Sequence, residues 1–294
     1  MTLFGLPMAA LAGQLLLGVV NGAFYATLSL GLAIIFGLLN VINFAHGAFF
    51  MLGAMAAWMG QAYLGMGYWT ALLCVPLAVA AVGMLVERLL LQRLYGLDHL
   101  YGLLLTLGLT LVMEGVLRSL YGVSGLPYSP PASLARAVDL GFMVLPLYRA
   151  WVIAASLAAC LFTWAVIEKT RLGSYMRAAT ENTPLVRAFG VNVPMMITLT
   201  YGFGVGLAGF AGVLAAPVMQ VSPLMGQQII VTVFAVVVIG GMGSILGAIV
   251  TGLALGLVEA MVKVYYPEAA NTAVFAIMAL VLLLRPAGLF GKEN

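Results

Sequence analysis

The sequence predicts an all-α protein that crosses a membrane several times, and two observations carry this prediction. Of its 294 residues, 64% are hydrophobic and only 7% are charged, whereas about 25% are charged in soluble domains. The apolar residues lie in long runs, many of about 20, the length at which a helix spans the roughly 30 Å hydrocarbon core of a bilayer. Because backbone groups in lipid must hydrogen-bond within their own segment, such runs are helices rather than barrel strands.

Nine apolar segments follow one another along the chain, and we expect eight or nine transmembrane helices, some of them discontinuous. The segments lie near residues 11–38, 45–63, 69–89, 100–121, 150–167, 195–218, 229–240, 245–264 and 271–284. We therefore treat residues 1–294 as a single membrane domain without a soluble appendage. The first segment begins near Met8 and is too long for the apolar core of a cleavable signal peptide.

Glycine is in excess, with 35 residues in the chain. A glycine inside a helix costs about 1 kcal/mol relative to alanine, but small residues let membrane helices approach closely. We expect such packing above all in residues 201–212, where glycine is densest. Residues 47–54 and 241–248 also share a G-x5-G-A spacing, which indicates either a repeated break at a binding site or pathway or a chance match.

Residues that bind metals or catalyse reactions are scarce. Cys74 and Cys160 lie inside apolar segments, and His46 and His99 are the only histidines, so we predict no metal site and no catalytic residues. The sequence contains no G-x4-G-K-[ST] motif that could cradle ATP phosphates. No apolar segment carries the series of carboxylates and histidines typical of a proton-driven carrier.

Two short stretches place neutral polar groups or flexible backbone between apolar segments. Their residues are Asn40, Asn43, His46, Gly47, Gly241, Gly243 and Ser244. Irregular backbone inside a membrane is tolerated where it is buried in protein or lines a wet cavity, so we expect a substrate pathway here. Capping of helix ends by Asn and Ser is the alternative.

Two pairs of opposite charge lie near the outer ends of their segments, at a spacing of four residues: Glu114 with Arg118, and Glu259 with Lys263. A charge at the middle of a bilayer costs about 2.5–3.5 kcal/mol on insertion scales, so such groups pair or reach the interface. We predict that both are ion pairs, either purely interfacial or at an outer mouth that receives substrate.

Charge is densest in residues 168–190, which hold four of the 12 basic residues: Lys169, Arg171, Arg177 and Arg187. Because Lys and Arg collect on the cytoplasmic side of membrane proteins, we predict that this segment is cytoplasmic. Four further basic residues then also lie inside, Arg88, Arg93, Arg285 and Lys292. The chain starts outside at Met1 and ends inside at Asn294, and residues 122–149 form an outside loop.

The charged segment is also compatible with two short helices joined at a corner. We expect the first over residues 174–182, with Ala178 and Ala179 as a small face. Thr183 is the predicted N-cap of the second, Pro184 its first residue and Gly190 its terminator. Its apolar stripe is formed by Leu185, Val186 and Phe189. Such a pair docks a cytoplasmic partner or lies on anionic lipid.

Three stretches resemble the permeases of branched-chain amino acid ABC transporters. The run R-A-A-x-E-N-x4-R-x2-G-V-N at residues 177–192 is similar to the family's coupling-helix signature. Residues 42–54 and 237–252 resemble two further stretches of these permeases. Order and spacing agree over nearly the whole chain, and the form is most similar to the LivH-type subunit.

The resemblance implies a coupling-helix loop over about residues 168–193 that contacts a cytoplasmic ATPase. The implied contact residues are Arg177, Ala178, Ala179, Glu181, Asn182, Arg187, Ala188 and Gly190. It also implies a bacterial inner-membrane complex with a related second permease, two ATPases that bind ATP and Mg²⁺, and a periplasmic binding protein. The implied substrates are leucine, isoleucine and valine.

Three alternatives remain open from the sequence. The family signature also occurs in permeases for urea or short amides. One alternative is therefore that the substrate is urea, a short amide or a sugar. An ion-coupled secondary transporter is the alternative from another class, against which the lack of intramembrane carboxylates counts. A channel would require a ring of filter residues, which the sequence does not indicate.

Overall fold

The computed structural model of the protein describes residues 2–3, 6–39, 42–141 and 143–291. The described residues form eleven α-helices: α1 (Met8–Leu39), α2 (Ala45–Leu64), α3 (Tyr68–Leu89), α4 (His99–Tyr121), α5 (Leu147–Lys169), α6 (Arg171–Glu181), α7 (Thr183–Ala188), α8 (Val193–Ala215), α9 (Met225–Gly240), α10 (Ile245–Tyr265) and α11 (Ala270–Leu284). Short strands pair as two antiparallel ladders, β1 (Thr2–Leu3) with β2 (Leu6–Pro7) and β3 (Ala137–Asp139) with β4 (Val144–Pro146).

The predicted all-α polytopic fold is confirmed. Each of the nine predicted segments lies on its own helix, although α8 ends three residues before the predicted boundary at 218. Within the described residues, seven helical stretches are long and apolar enough to cross a membrane. The helix α9, with 16 residues, is shorter. It packs inside the bundle against α1 and α2, and α2 also packs against α8.

Close contacts at glycines hold the centre of the bundle together, as the dense glycines of residues 201–212 predict. The central helices α1 and α8 cross at Gly31 and Gly204. A Cβ atom added to Gly31 would lie 2.6 Å from the carbonyl oxygen of Gly204, and one added to Gly204 would lie 2.7 Å from that of Gly31. The two backbones therefore touch, which any larger side chain would prevent.

The shared G-x5-G-A spacing does not mark equivalent places in the fold. Residues 47–54 lie entirely within α2, whereas residues 241–244 form the turn between α9 and α10. The helical stretch needs its glycines for contact with other helices, and the turn needs them for its backbone angles. The interpretation as a repeated break is therefore wrong.

The bundle has two ends, which we name the α6–α7 end and the opposite end. At the α6–α7 end, α1 contacts α6, and Gly243 packs against Gly37 near the end of α1. At the opposite end the Leu126 N–H donates to the Val221 carbonyl at 2.7 Å, which joins the segments that follow α4 and α8. Helix α5 separates residues 122–146 from α6, so this predicted loop and the charged segment lie at different ends.

Candidate functional site

The helices α6 and α7 form the predicted pair joined at a corner, although α6 begins at Arg171, three residues before the predicted start at 174. The cap differs from the prediction: the Asn182 side-chain oxygen accepts from the Leu185 N–H at 3.0 Å, one residue before Thr183. Asn is at least as good an N-cap as Thr, and the Thr183 hydroxyl donates instead to the Ala179 carbonyl at 2.8 Å. Gly190 follows α7 with a φ of 82°, in keeping with its predicted role as terminator.

The two faces of this helix pair are distinct. Ala179 is only 5% exposed and, with Val186, packs into a cluster formed mainly by α1, α5 and α8. Ala179 therefore does not present the outer surface, in contrast to the prediction that paired it with Ala178. Nine of the predicted contact or stripe residues are exposed on the outside of the pair: Arg177, Ala178, Glu181, Asn182, Leu185, Arg187, Ala188, Phe189 and Gly190. Two are large and apolar, with Leu185 52% and Phe189 79% exposed.

A polar cavity of about 320 Å³ lies beside α7, and we name it the Arg187 cavity. Arg187 and Thr183 of α7 line it together with Leu38 of α1 and with Asp98 and Tyr95 of the segment after α3. The cavity therefore joins the short helices to the C-terminal end of α1 and to the connection between α3 and α4.

Asn43 and His46 lie in the packed centre of the bundle. The Asn43 amide donates to the Tyr201 hydroxyl at 3.1 Å, and the His46 Nε2 atom is 2.9 Å from the Leu28 carbonyl oxygen. Both side chains are buried, and neither Asn43 Oδ1 nor His46 Nδ1 has a hydrogen-bond partner among the described residues. Gly47, one residue further, packs against the backbone of Gly226 in α9.

The turn at residues 241–244 is a tight structural corner at the α6–α7 end. Gly241 and Gly243 adopt φ angles of 98° and 84°, which favour glycine. The Ser244 hydroxyl accepts from the Gly247 N–H at 3.1 Å and caps α10, so the capping alternative holds for Ser244. Gly241 contacts Gly291 in the segment after α11.

Four predicted positions lie outside the described residues. They are Asn40 of the predicted pathway and Met1, Lys292 and Asn294 of the predicted orientation.

A larger polar cavity, about 510 Å³ in volume, opens at the opposite end of the bundle, and we name it the Glu259 cavity. The predicted pair is present there, since Lys263 donates to Glu259 Oε1. The Tyr25 hydroxyl donates to the other carboxylate oxygen, Oε2, at 2.6 Å. Polar residues that also line the cavity are Asn21, Gln220, Ser222, Gln228, Thr232 and Asn271.

The predicted ion pair between Glu114 and Arg118 is not formed, so this prediction is wrong. Glu114 is buried with its Oε2 atom unpartnered among the described residues, and Arg118 is exposed. The ion pairs found in the described part of the chain are Arg177–Glu168 and Lys263–Glu259. The spacing of four residues allows a pair on a helix but does not impose one, and α4 turns Glu114 toward the bundle.

A further buried carboxylate, that of Glu87 in α3, is not among the predicted site residues. It is fully buried and accepts hydrogen bonds from the Tyr95 and Thr198 hydroxyls, each at 2.6 Å. Glu87 thereby joins α3, the segment after it and the start of α8, next to the Arg187 cavity that Tyr95 also lines. An acidic residue inside an apolar run was the available signal.

Comparison with known proteins gives one family over nearly the whole chain. The model of the family described as branched-chain amino acid transport system / permease component matches residues 14–284. The high-affinity branched-chain amino acid transport system permease protein LivH of Escherichia coli is 28% identical, with 96% of each chain covered. The corresponding BraD protein of Pseudomonas aeruginosa is also 28% identical, again over 96% of each chain.

A second kind of relative matches as well. The permease protein LivM of Escherichia coli, also from a high-affinity branched-chain amino acid transport system, is 28% identical over 90% of this chain and 67% of its own length. No solved structure gives a significant match.

Proposed function

Because the chain belongs to the family of permease components of branched-chain amino acid transport systems, we propose that it is a permease subunit of an ATP-driven importer. The proposed substrates are leucine, isoleucine and valine, carried across the bacterial inner membrane. The match to the family over residues 14–284 is the observation that carries this proposal. The relatives named above are all branched-chain amino acid permeases by name, which favours these substrates over urea, amides or sugars.

The proposed complex contains a second permease related to LivM, because this chain is similar to both LivH and LivM. Two cytoplasmic ATPases bind ATP and Mg²⁺, and a periplasmic binding protein delivers the substrate. The chain itself has no phosphate-binding G-x4-G-K-[ST] motif, so ATP hydrolysis is assigned to these partners.

The outward face of α6 and α7 is the proposed contact with an ATPase. Large exposed apolar side chains mark interaction surfaces when they cluster, and Leu185 and Phe189 lie one helical turn apart. Arg177 and Arg187 flank them and are exposed. Behind this face, Ala179 and Val186 are packed against the bundle, so force applied to α6 and α7 is transmitted to the membrane helices.

The proposed pathway runs from the Glu259 cavity to the Arg187 cavity, past Asn43 and His46. Positions along α1 support this order. Asn21, Phe24 and Tyr25 line the first cavity, His46 contacts Leu28, and Leu38 and Leu39 line the second cavity. Asn43 and His46 therefore lie at the closed middle of the pathway, and their polar atoms that lack partners among the described residues become contacts for a passing solute. The turn with Gly241, Gly243 and Ser244 borders its inner end.

Transport by the reconstituted complex tests the proposed function. We expect ATP-dependent accumulation of radiolabelled leucine in proteoliposomes that contain both permeases, the ATPases and the binding protein. Urea is expected to accumulate equally with and without ATP. ATP-dependent uptake of urea without uptake of leucine would overturn the substrate, and ion-gradient-driven uptake without ATP would overturn the transporter class.

Labelling of introduced cysteines tests the proposed orientation, in which the α6–α7 end is cytoplasmic; the native Cys160 is buried. In a Cys74→Ala background, Ser133→Cys is expected to react with a membrane-impermeant maleimide in spheroplasts. Thr180→Cys is expected to react only after the membrane is permeabilised. Both positions are exposed in the fold, so a reversed pattern would show that the bundle is inserted the other way.

A further inference from the structure

The Glu259 cavity contains a fixed negative charge next to a movable positive one. The Glu259 side chain is only 6% exposed and is held by the Tyr25 hydroxyl at 2.6 Å. The Lys263 side chain is 43% exposed, and its ammonium group ends a flexible four-carbon stem. Glu259 can therefore keep its position while Lys263 turns away from it into the cavity.

The walls of the cavity offer both kinds of contact that an amino acid requires. Phe24, Met225 and Ile229 are buried apolar residues on one part of the wall. Asn21, Gln220, Gln228 and Asn271 bring side-chain amides to the same space. The volume of about 510 Å³ lies within the range of roughly 300–1,000 Å³ typical of small-molecule sites.

We propose that the Glu259 cavity binds a zwitterionic amino acid by exchange of ion pairs. The α-ammonium group takes the place of Lys263 on Glu259, and Lys263 turns to the α-carboxylate. The aliphatic side chain packs against Phe24, Met225 and Ile229. This inference rests on the proposed function, to which it adds a binding site on the permease itself and the groups that recognise the substrate.

The exchange selects zwitterions for an electrostatic reason. One internal ion pair is replaced by two pairs with the ligand, so no charge is left unpartnered in a poorly solvated site. A ligand with only an ammonium or only a carboxylate group would leave one protein charge without a partner. A neutral amide or sugar cannot compensate either charge, so the Glu259–Lys263 pair stays closed against it.

Ligand binding to the complex without its binding protein tests this inference directly. Saturation-transfer NMR on the complex in nanodiscs compares leucine with 4-methylpentanoate, which lacks the ammonium group, and with 3-methylbutylamine, which lacks the carboxylate. Because a hydrogen bond to a charged group contributes more than one between neutral groups, we expect each analogue to bind about tenfold more weakly than leucine. Equal binding of all three by the native complex would overturn the inference without any variant.

Variants separate recognition from a structural role of the pair. Lys263→Met is expected to weaken leucine binding about tenfold. The same variant is expected to bind 3-methylbutylamine at least as tightly as before, because Glu259 then lacks its internal partner. Lys263→Arg is expected to retain leucine binding. Lys169→Met, at the α6–α7 end, removes a lysine outside the cavity and serves as the matched control. If the pair has a purely structural role, Lys263→Met weakens the binding of all three ligands alike, and this result would overturn the inference.

The two proposals fail in different ways. Failure of the native complex to import any branched-chain amino acid overturns the proposed function. If leucine is imported and Lys263→Met and Glu259→Gln import it at the native rate, the function stands and the cavity is not a binding site.

Discussion

Ala178→Trp is expected to reduce ATP-dependent leucine uptake by about tenfold or more, a change equivalent to at least about 1.4 kcal/mol in coupling. Ala178 is exposed on the outward face of α6, where a small residue allows close approach of a partner. An indole ring at this point would hold the ATPase away from Leu185 and Phe189. The bundle itself is expected to fold, because the side chain at 178 does not enter its packing.

Two matched substitutions serve as controls for this prediction. Ala135→Trp places the same side chain on an exposed position of the loop at the opposite end, and native uptake is expected. Ala179→Trp alters the neighbouring residue, which is buried, so we expect loss of folded protein rather than loss of coupling. Copurification with the ATPase and size-exclusion chromatography distinguish these outcomes. Full uptake by Ala178→Trp would show that this face does not dock the ATPase.

The sequence was sufficient for features that depend on chain length or on neighbouring residues. The thickness of a bilayer fixes how long an apolar run must be, and each predicted segment therefore coincides with a helix. The corner between α6 and α7 depends on Asn182, Pro184 and Gly190, which act within a few residues of their own positions. The choice between Asn182 and Thr183 as the cap was wrong, since both residue types cap well.

The direction in which a side chain points could not be predicted in the same way. Consecutive residues on a helix differ by about 100° around its axis, and packing with distant segments decides which of them is buried. Ala178 and Ala179 are adjacent and chemically identical, yet only the second contacts the bundle. The orientation of Glu114 away from a pair with Arg118 has the same origin.

The cavities depend on contacts between distant parts of the chain. Asn21, Gln220 and Glu259 meet in one cavity, although at least one complete helix separates each from the next in sequence. The hydroxyls that hold Glu87 and Glu259 also come from other elements, such as Tyr25 of α1 for Glu259. No local pattern around either carboxylate indicates these partners.

Gly53→Ala is expected to destabilise the bundle strongly, for the reason that also explains the glycine content. A Cβ atom at Gly53 would lie 2.7 Å from the Cα atom of Gly209 and 2.9 Å from its carbonyl carbon. These are backbone atoms of α8, so no side-chain rotation relieves the overlap and α2 must move away from α8. Overpacking that is relieved by backbone shifts costs about 1–3 kcal/mol and sometimes more.

Gly108→Ala is the matched control, because Gly108 lies within α4 and an added Cβ atom would have no neighbour within 4 Å among the described residues. The same methyl group there removes only the helix penalty of glycine, about 1 kcal/mol, so an unchanged or slightly higher melting temperature is expected. Gly53→Ala should instead lower the melting temperature of the detergent-solubilised protein by several degrees or prevent its accumulation. Similar melting temperatures for the two variants would mean that α2 and α8 are not in backbone contact. The central packing of α8 would then have to differ from that described above.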